Sequence, residues 1–244
     1  MSLLSNVVPV GELDQRQLWC VYGKSGTGKT AFISSFPKPM LYIQLGDDGT
    51  NTIRDVEGIN VFTPTKVEDV KEILVELRKD KKYATVAIDT FSMIVNEWVD
   101  QNVVKKSKRM TQQAWGDIKT DVEELIKYVQ VLAATKVVVV SCHEVADSFE
   151  GLEDEIMPEV RPNLNKGARS YFEGMCNFGI HTTIVEKEVT TKSGATSTQN
   201  VFAAHLGPNA YYWTKTQKAK EIKIPKIITN PTYDKIIKYT TKEI

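Results

Sequence analysis

Gly23-Lys24-Ser25-Gly26-Thr27-Gly28-Lys29-Thr30 has the spacing G-x-x-x-x-G-K-[ST], which is typical of a loop that binds phosphate groups. The apolar run Leu18–Tyr22 precedes it and predicts a buried strand, and Ala31–Ile33 follow and predict a short helix that Pro37 and Pro39 end. In such a unit the glycines let consecutive N–H groups point inward, and the helix N-terminus adds partial positive charge. We therefore expect a cradle for the phosphates of a nucleotide.

Two side chains at the end of this loop have predicted roles in holding a nucleotide. Lys29 is expected to neutralise the β- and γ-phosphates, and the Thr30 hydroxyl is expected to hold Mg²⁺, so ATP and Mg²⁺ are the expected cofactors. The alternative is a glycine-rich turn in which Lys29 is merely solvated. The predicted nucleotide-binding residues are Gly23, Lys24, Ser25, Gly26, Thr27, Gly28, Lys29 and Thr30.

The composition is that of one compact α/β domain with an appendage, at 244 residues, 41% hydrophobic and 25% charged. The formal net charge is zero, so binding to nucleic acid has to depend on local patches. We find no signal-peptide pattern and no apolar run near the roughly 18 residues of a membrane helix. With three cysteines that lack metal-ligand spacing, these features predict a cytoplasmic protein with free, buried thiols.

Uniformly apolar strands alternate with amphipathic helices along the first part of the chain. Strands of this kind are buried on both faces, which predicts a mainly parallel sheet covered by helices on both faces. The predicted elements are strands Leu18–Tyr22, Met40–Ile43, Ile59–Phe62, Ala84–Asp89 and Lys136–Ser141, helices Lys66–Lys79 and Phe91–Val104, and a helix with Ile118, Val122, Leu125, Ile126, Val129 and Leu132 on one face.

The pattern changes after about residue 175. Gly179–Glu186 and Asn200–His205 flank a polar turn and predict a C-terminal antiparallel hairpin that extends the sheet. We expect an N-terminal extension over 1–16, the nucleotide-binding core with its hairpin over 17–206, and a basic tail over 207–244 that ends in a short helix.

Acidic residues close two of the predicted strands. Asp89 is expected to hold the water shell of Mg²⁺ opposite Thr30, because the carboxyl ends of parallel strands meet at one edge. Many P-loop ATPases carry a glutamate base at the next position, which here is Thr90. The base is therefore expected elsewhere, at Asp47 ahead of Asp48, and the alternative for both is an Asp-Asp-Gly turn.

His143 follows the most apolar strand and is the candidate sensor of the γ-phosphate, with a structural histidine as the alternative. His181 and His205 fall in the predicted hairpin and are expected to be structural. Stacking surfaces for a base are offered by Tyr211, Tyr212 and Trp213.

The order of these motifs resembles the RecA-like branch of P-loop ATPases, and within it the phage nucleotide-binding proteins of the Sak type, which are single-strand annealing ATPases. The resemblance runs from about Gln17 to Tyr239, and only its phosphate loop is specific by itself. The segments that carry it are Gly23–Thr30, Phe36–Pro39, the acidic end of the second strand, Asp89-Thr90, Thr111–Gly116, Val137–Glu144, and a lysine cluster before Ile224-Pro225 and Asn230-Pro231.

This resemblance implies an α/β, RecA-like P-loop NTPase fold and an ATP-dependent protein that binds single-stranded DNA in phage recombination or replication, in the bacterial host cytoplasm. It also implies a homo-oligomeric ring or filament in which a neighbouring subunit's cation completes each site. Lys218 and Lys220, with Lys215 close by, match that position, although many relatives carry arginine there. The alternative is a solvated basic tail.

Two segments are candidates for contact with DNA. The first contains Lys105, Lys106, Lys108 and Arg109, with Trp115 just beyond, and such cations can follow a phosphate backbone while an aromatic ring stacks on a base. The second is a predicted loop over 145–171 whose first part is acidic and whose second part contains Arg161, Lys166 and Arg169. Solvated charges at helix ends are the alternative for both.

Three other functions compete with a DNA-coupled ATPase. A P-loop kinase needs an arginine-rich lid, and no such cluster occurs before residue 161. A GTPase needs an Asn-Lys-x-Asp guanine reader, which the sequence lacks. A scaffold that binds ATP without useful hydrolysis agrees with the missing glutamate after Asp89.

Overall fold

The computed structural model describes residues 7, 9, 16–45, 49–94, 111–150, 156–190, 196–218 and 222–240. Within these ranges, nine strands form one sheet and two more form a separate hairpin. The strands are β1 (Gln17–Tyr22), β2 (Met40–Gln44), β3 (Ile59–Phe62), β4 (Thr85–Asp89), β5 (Val137–Cys142), β6 (Glu144–Glu150), β7 (Ile156–Pro162), β8 (Phe178–Thr190), β9 (Thr196–His205), β10 (Lys215–Thr216) and β11 (Ile227–Thr229). The α-helices are α1 (Lys29–Ile33), α2 (Val67–Leu77), α3 (Gln112–Leu132), α4 (Lys166–Met175) and α5 (Tyr233–Ile237).

The centre of the large sheet is parallel, in the order β8-β1-β5-β4-β2-β3. Beyond β8 the pairing is antiparallel, with β9 on β8 and β11 on β9, while β10 also pairs with β8. The predicted, mainly parallel sheet with a C-terminal hairpin is therefore confirmed. The hairpin strands are longer than the sequence pattern indicated. The pattern missed the added residues because those at 187–188 of β8 and 196–199 of β9 are polar and solvent-exposed and form no apolar run.

Two hydrophobic cores lie on opposite faces of the sheet. On β1, Leu18 and Cys20 belong to the core beneath α2, α3 and α4, whereas Trp19 and Val21 belong to the core beneath α1 and α5. The apolar face predicted for the helix now assigned as α3 is buried along its whole length. Burial of both faces explains why the central strands are uniformly apolar.

The chain after β9 returns to the sheet. Strands β10 and β11 pair with β8 and β9, and Ile236 of α5 is fully buried against the core. The helix predicted near the end of the chain is confirmed as α5, which begins after Pro231 with the Thr232 side chain accepting a hydrogen bond from the N–H of Lys235.

The segment 145–171 is not the predicted loop. It contains β6 and β7, which pair with each other, and the start of α4. Ion pairs join the hairpin to α4, with Arg169 on Asp147 and Arg161 on Glu173 at 2.7 Å. The predicted helix Phe91–Val104 is helical over 91–94, and its remainder lies outside the described residues.

The three cysteines meet in the core even though they are far apart in sequence. Cys20, Cys142 and Cys176 are free and fully buried, and the Cys20 thiol contacts the other two. Burial raises the pKa of Cys20 well above its usual range, which keeps it a neutral thiol.

None of the helices in the described ranges has both the length and the apolar character needed to cross a membrane.

We expect the native protein to be unreactive toward a bulky thiol reagent such as Ellman's reagent. Fully buried thiols are out of reach of such a reagent, so all three cysteines should react only after denaturation in guanidinium. The absorbance of the released thiolate measures this directly. Rapid reaction of even one thiol in the folded protein would contradict the burial of this cluster.

Candidate nucleotide site

Three predicted features meet at the carboxyl edge of the parallel strands. The loop Gly23–Thr30 follows β1, Asp89 ends β4, and His143 follows β5. Because β5 lies between β1 and β4, these features line one cavity of about 350 Å³. The fold thus brings Lys29, Thr30, Asp89 and His143 together.

The phosphate-binding loop curls around its own lysine. Gly26 and Gly28 adopt left-handed backbone angles, with φ of 79° and 82°, a region that favours glycine. Lys29 Nζ donates hydrogen bonds to the carbonyl oxygens of Gly23 at 3.0 Å and Lys24 at 2.8 Å. The Lys29 side chain is therefore held beside the loop, at the start of α1, where an anion would need it.

Strand β8 supports the loop from the other side. Thr182 Oγ1 lies 2.8 Å from Thr27 Oγ1 and donates to the Tyr22 carbonyl at 3.2 Å. At Gly23, an added Cβ would overlap the carbonyl oxygen of Thr182. The loop conformation therefore depends on a strand that is about 160 residues away in sequence.

Asp89 accepts hydrogen bonds from four hydroxyl groups. Thr30 Oγ1 donates at 2.9 Å and Thr90 Oγ1 at 3.0 Å, and the hydroxyls of Tyr42 and Ser141 also donate to this carboxylate. Burial and the adjacent Asp89 charge raise the pKa of Tyr42 well above its usual range, so Tyr42 remains a donor. The carboxylate is nearly buried but fully hydrogen-bonded.

The oxygen donors at this edge fit a hard divalent cation. Mg²⁺ takes few protein ligands and keeps several waters when phosphate oxygens also bind it, and a threonine hydroxyl with one nearby carboxylate satisfies that pattern. No group of three or more His, Cys, Asp or Glu side chains in the described part of the chain could hold a metal alone. Thr30 and Asp89 would therefore hold Mg²⁺ together with a bound nucleotide.

His143 links the cavity to the β6–β7 hairpin. His143 is one of the residues that line the cavity, and its backbone N–H donates to Ser92 Oγ at 3.1 Å. The next residue, Glu144, is 2.8 Å from His181 Nε2, and His181 stacks on Tyr212 with ring centroids 3.9 Å apart. Burial lowers the pKa of His181, which Glu144 partly opposes, so a neutral, packed His181 is expected at neutral pH.

The predicted cations of the second DNA segment lie in different surroundings. Arg169 is buried in its ion pair with Asp147, and Arg161 is paired with Glu159 and Glu173. Lys166 is exposed and lies 3.5 Å from Asp147. Structural ion pairs therefore account for both arginines, and burial of Arg169 disfavours its contact with a nucleic acid backbone.

Of the remaining candidate residues, two lysines near the end of the chain lie in the described part of the structure and the others do not. Lys215 Nζ donates to the carbonyl oxygens of Glu173 and Gly174 at 3.1 and 3.0 Å, and Lys218 is exposed on the segment that follows. The candidates outside the described residues are Asp47, Asp48, Lys105, Lys106, Lys108, Arg109 and Lys220.

Some cavity residues carry no local sequence signal. Thr52 and Phe202 line the cavity although no motif contains them. Conversely, the aromatic residues expected to offer stacking surfaces are absent from the described lining, since Tyr212 stacks on His181 and Trp213 packs over Gly179. The sequence likewise gives no signal for the hydroxyl donors to Asp89, such as Tyr42, because only the pairing of strands brings them next to this carboxylate.

The chain belongs to the family described as AAA domain, whose model matches residues 15–206. It is an AAA-type P-loop ATPase domain, built on a mostly parallel sheet with helices. The fold is similar to the flagellar accessory protein FlaH from Methanocaldococcus jannaschii, at 10% identity over 91% of this chain and 88% of that chain, with a TM-score of 0.43. No curated protein sequence matches this chain.

Replacing Gly23 by alanine should destabilise the loop, because the new methyl group would overlap the Thr182 carbonyl. We expect a loss of about 1–3 kcal/mol in the free energy of unfolding, measured by denaturant titration. Gly116→Ala is the matched control, since Gly116 lies in α3 with open space around it and should gain up to about 1 kcal/mol from helix propensity. Equal effects of the two substitutions would refute the close packing of β8 on the loop.

Proposed function

We propose that this protein binds and hydrolyses Mg-ATP and couples its nucleotide state to binding of single-stranded DNA in recombination or replication. The observation that supports nucleotide binding best is the Thr30–Asp89 hydrogen bond of 2.9 Å beside the buried Lys29. An anion-binding loop and an oxygen site for a cation thus share one cavity. Mg-ATP matches this arrangement, because its anionic phosphates would bind the loop and its Mg²⁺ would bind the oxygen site.

Each polar group of the cavity then has a role. The loop N–H groups would surround the phosphates, and the Lys29 ammonium would exchange its carbonyl contacts for phosphate oxygens. Thr30 Oγ1 and, through water, Asp89 would hold Mg²⁺, which neutralises the charge on the reacting phosphates. The Tyr42 and Ser141 hydroxyls keep the Asp89 carboxylate oriented toward Thr30.

Hydrolysis also needs a group that activates water. We assign this role to Asp47 ahead of Asp48, because Thr90 occupies the position where many P-loop ATPases carry glutamate. The next residue, Gly49, supports this assignment, since its Cβ position lies 3.1 Å from Thr30 Oγ1 and 3.5 Å from Asp89 Oδ2. His143 would contact the γ-phosphate and pass its loss to the β6–β7 hairpin.

Lys29→Ala should weaken ATP binding by about 10- to 100-fold, because a charge-assisted contact with the phosphates is lost.

Two further variants separate the base from the cation site. Asp47→Ala should leave ATP binding unchanged and abolish ATP hydrolysis. Asp89→Asn should remove the dependence of ATP binding on Mg²⁺. Calorimetry and phosphate release measure these effects, with Lys127→Ala on the exposed face of α3 as control.

Unchanged ATP affinity in Lys29→Ala would refute the site. Binding without turnover under every condition would identify an ATP-gated scaffold instead of an ATPase. Transfer of phosphate to a small acceptor would identify a kinase.

The DNA-binding part of the proposal rests on the sequence around residues 105–109. Four of the five residues 105–109 are lysine or arginine, a sequence density of cations that can follow a phosphate backbone, while the overall charge of the chain is zero. We further propose a homo-oligomer in which Lys218 and Lys220 reach a neighbouring site. Lys215 would have to give up its contacts with the carbonyl oxygens of Glu173 and Gly174 to take part.

Single-stranded DNA should stimulate ATP turnover in the wild type. Lys105→Ala/Lys106→Ala should reduce this stimulation and lower the slope of log affinity against log salt by about 1.4, since each lost phosphate contact contributes about 0.7. The control is Lys79→Ala/Lys81→Ala, which removes two exposed lysines near the end of α2. Equal salt slopes for the two double variants would refute this DNA segment.

A further inference from the structure

An exposed aromatic side chain faces the nucleotide cavity from β9. Phe202 lines the same cavity as Ser25, Gly28 and Thr30, and 41% of it is exposed. Its register partner on β8, Ile184, is 46% exposed, whereas the next residue on β9, Ala203, is fully buried. The two side chains therefore form an apolar, solvent-exposed patch beside the cavity.

The strand order separates this apolar patch from the cation site. Strand β9 lies two strands from β1 on one side, and β4 with Asp89 lies two strands from β1 on the other. The phosphate-binding loop follows β1 and sits between them. The Phe202 ring touches the loop itself, because a Cβ at Gly28 would lie 2.8 Å from Phe202 Cδ1. One end of the cavity is thus charged and the other is aromatic.

A nucleotide has the same polarity, with an anionic tail at one end and a flat π-system at the other. We propose that Phe202 is the surface on which the base of the bound nucleotide stacks, with Ile184 extending that surface. This inference rests on the proposed nucleotide binding and adds to it the part of the site that holds the base. Stacking on an aromatic ring is available to every base, because each base has a π-face.

The same cavity indicates weak discrimination between bases. Apart from Asp89 at the cation end, no carboxylate or carboxamide side chain occurs among the described residues that line it. Large discrimination requires buried polar groups that pair with one base and are left unpaired by another. We therefore expect the dissociation constants for ATP and GTP to agree within about 10-fold.

A purely structural role predicts a different outcome. Phe202 could act only by packing on Gly28 and holding the loop in shape. In that case its removal would weaken binding of any ligand that uses the loop. Inorganic tripolyphosphate separates the two roles, because it carries the phosphate chain without a base.

The test measures dissociation constants for ATP, GTP and tripolyphosphate with Mg²⁺. Phe202→Ala should weaken ATP and GTP binding by about 5- to 30-fold and change tripolyphosphate binding less than about 2-fold. Phe202→Leu retains apolar packing on the loop and should show most of the same loss of ATP and GTP affinity. Phe202→Trp retains an aromatic ring and should bind both nucleotides about as tightly as the wild type. Tyr211→Ala removes an aromatic side chain that is 60% exposed outside the cavity lining and should have no effect.

Each other result would overturn the role of Phe202. Unchanged ATP affinity in both Phe202→Ala and Phe202→Leu would exclude stacking, and an equal loss for tripolyphosphate would assign the ring to loop packing. Failure of the wild type to bind either ligand would instead refute the nucleotide site itself. Wild-type binding of tripolyphosphate with the same affinity as ATP would leave the phosphate site intact and exclude a base surface.

Discussion

The Asp89 carboxylate organises this site because it is a nearly buried charge that needs hydrogen-bond donors. A carboxylate removed from water without donors costs several kcal/mol or more, so its surroundings have to supply them. Here the hydroxyls come from separate parts of the fold, with Thr30 on α1, Tyr42 on β2 and Ser141 on β5. The placement of one charge thus couples the phosphate-binding loop to the neighbouring strands of the parallel sheet.

The two halves of the sheet make different contributions to the site. The parallel half places the polar groups at one edge, since the ends of β1, β4 and β5 carry the loop, Asp89 and His143. The hairpin β8–β9, whose first strand runs parallel to β1 and whose second strand is antiparallel to the first, supports the loop through Thr182 and covers Gly28 with Phe202. A nucleotide in this cavity would lie across the junction between them, and its base would lie on the half that differs most from an ordinary parallel sheet.

The hairpin β6–β7 connects the site to the rest of the surface. It begins directly after His143, and Glu144 on its first strand pairs with His181 on β8. Its ion pairs with α4 are partly buried, which makes them structural rather than available to a ligand. The cavity residue His143 and the hairpin are therefore adjacent in the chain, and Glu144 ties the start of the hairpin to β8.

The sequence alone determined the phosphate-binding loop as a motif, the parallel core, and the position of Asp89 at the end of a buried strand, because these depend on fixed local spacing and on apolar runs that need no distant partner. Tertiary structure decided the pairing of β6 with β7, the meeting of the three cysteines, and the return of β10 and β11 to the sheet. It also decided that Phe202 and the hydroxyls of Tyr42 and Ser141 belong to the site. The physical reason is the same in each case: contacts between residues far apart in the chain are set by strand order and register, which no local pattern encodes.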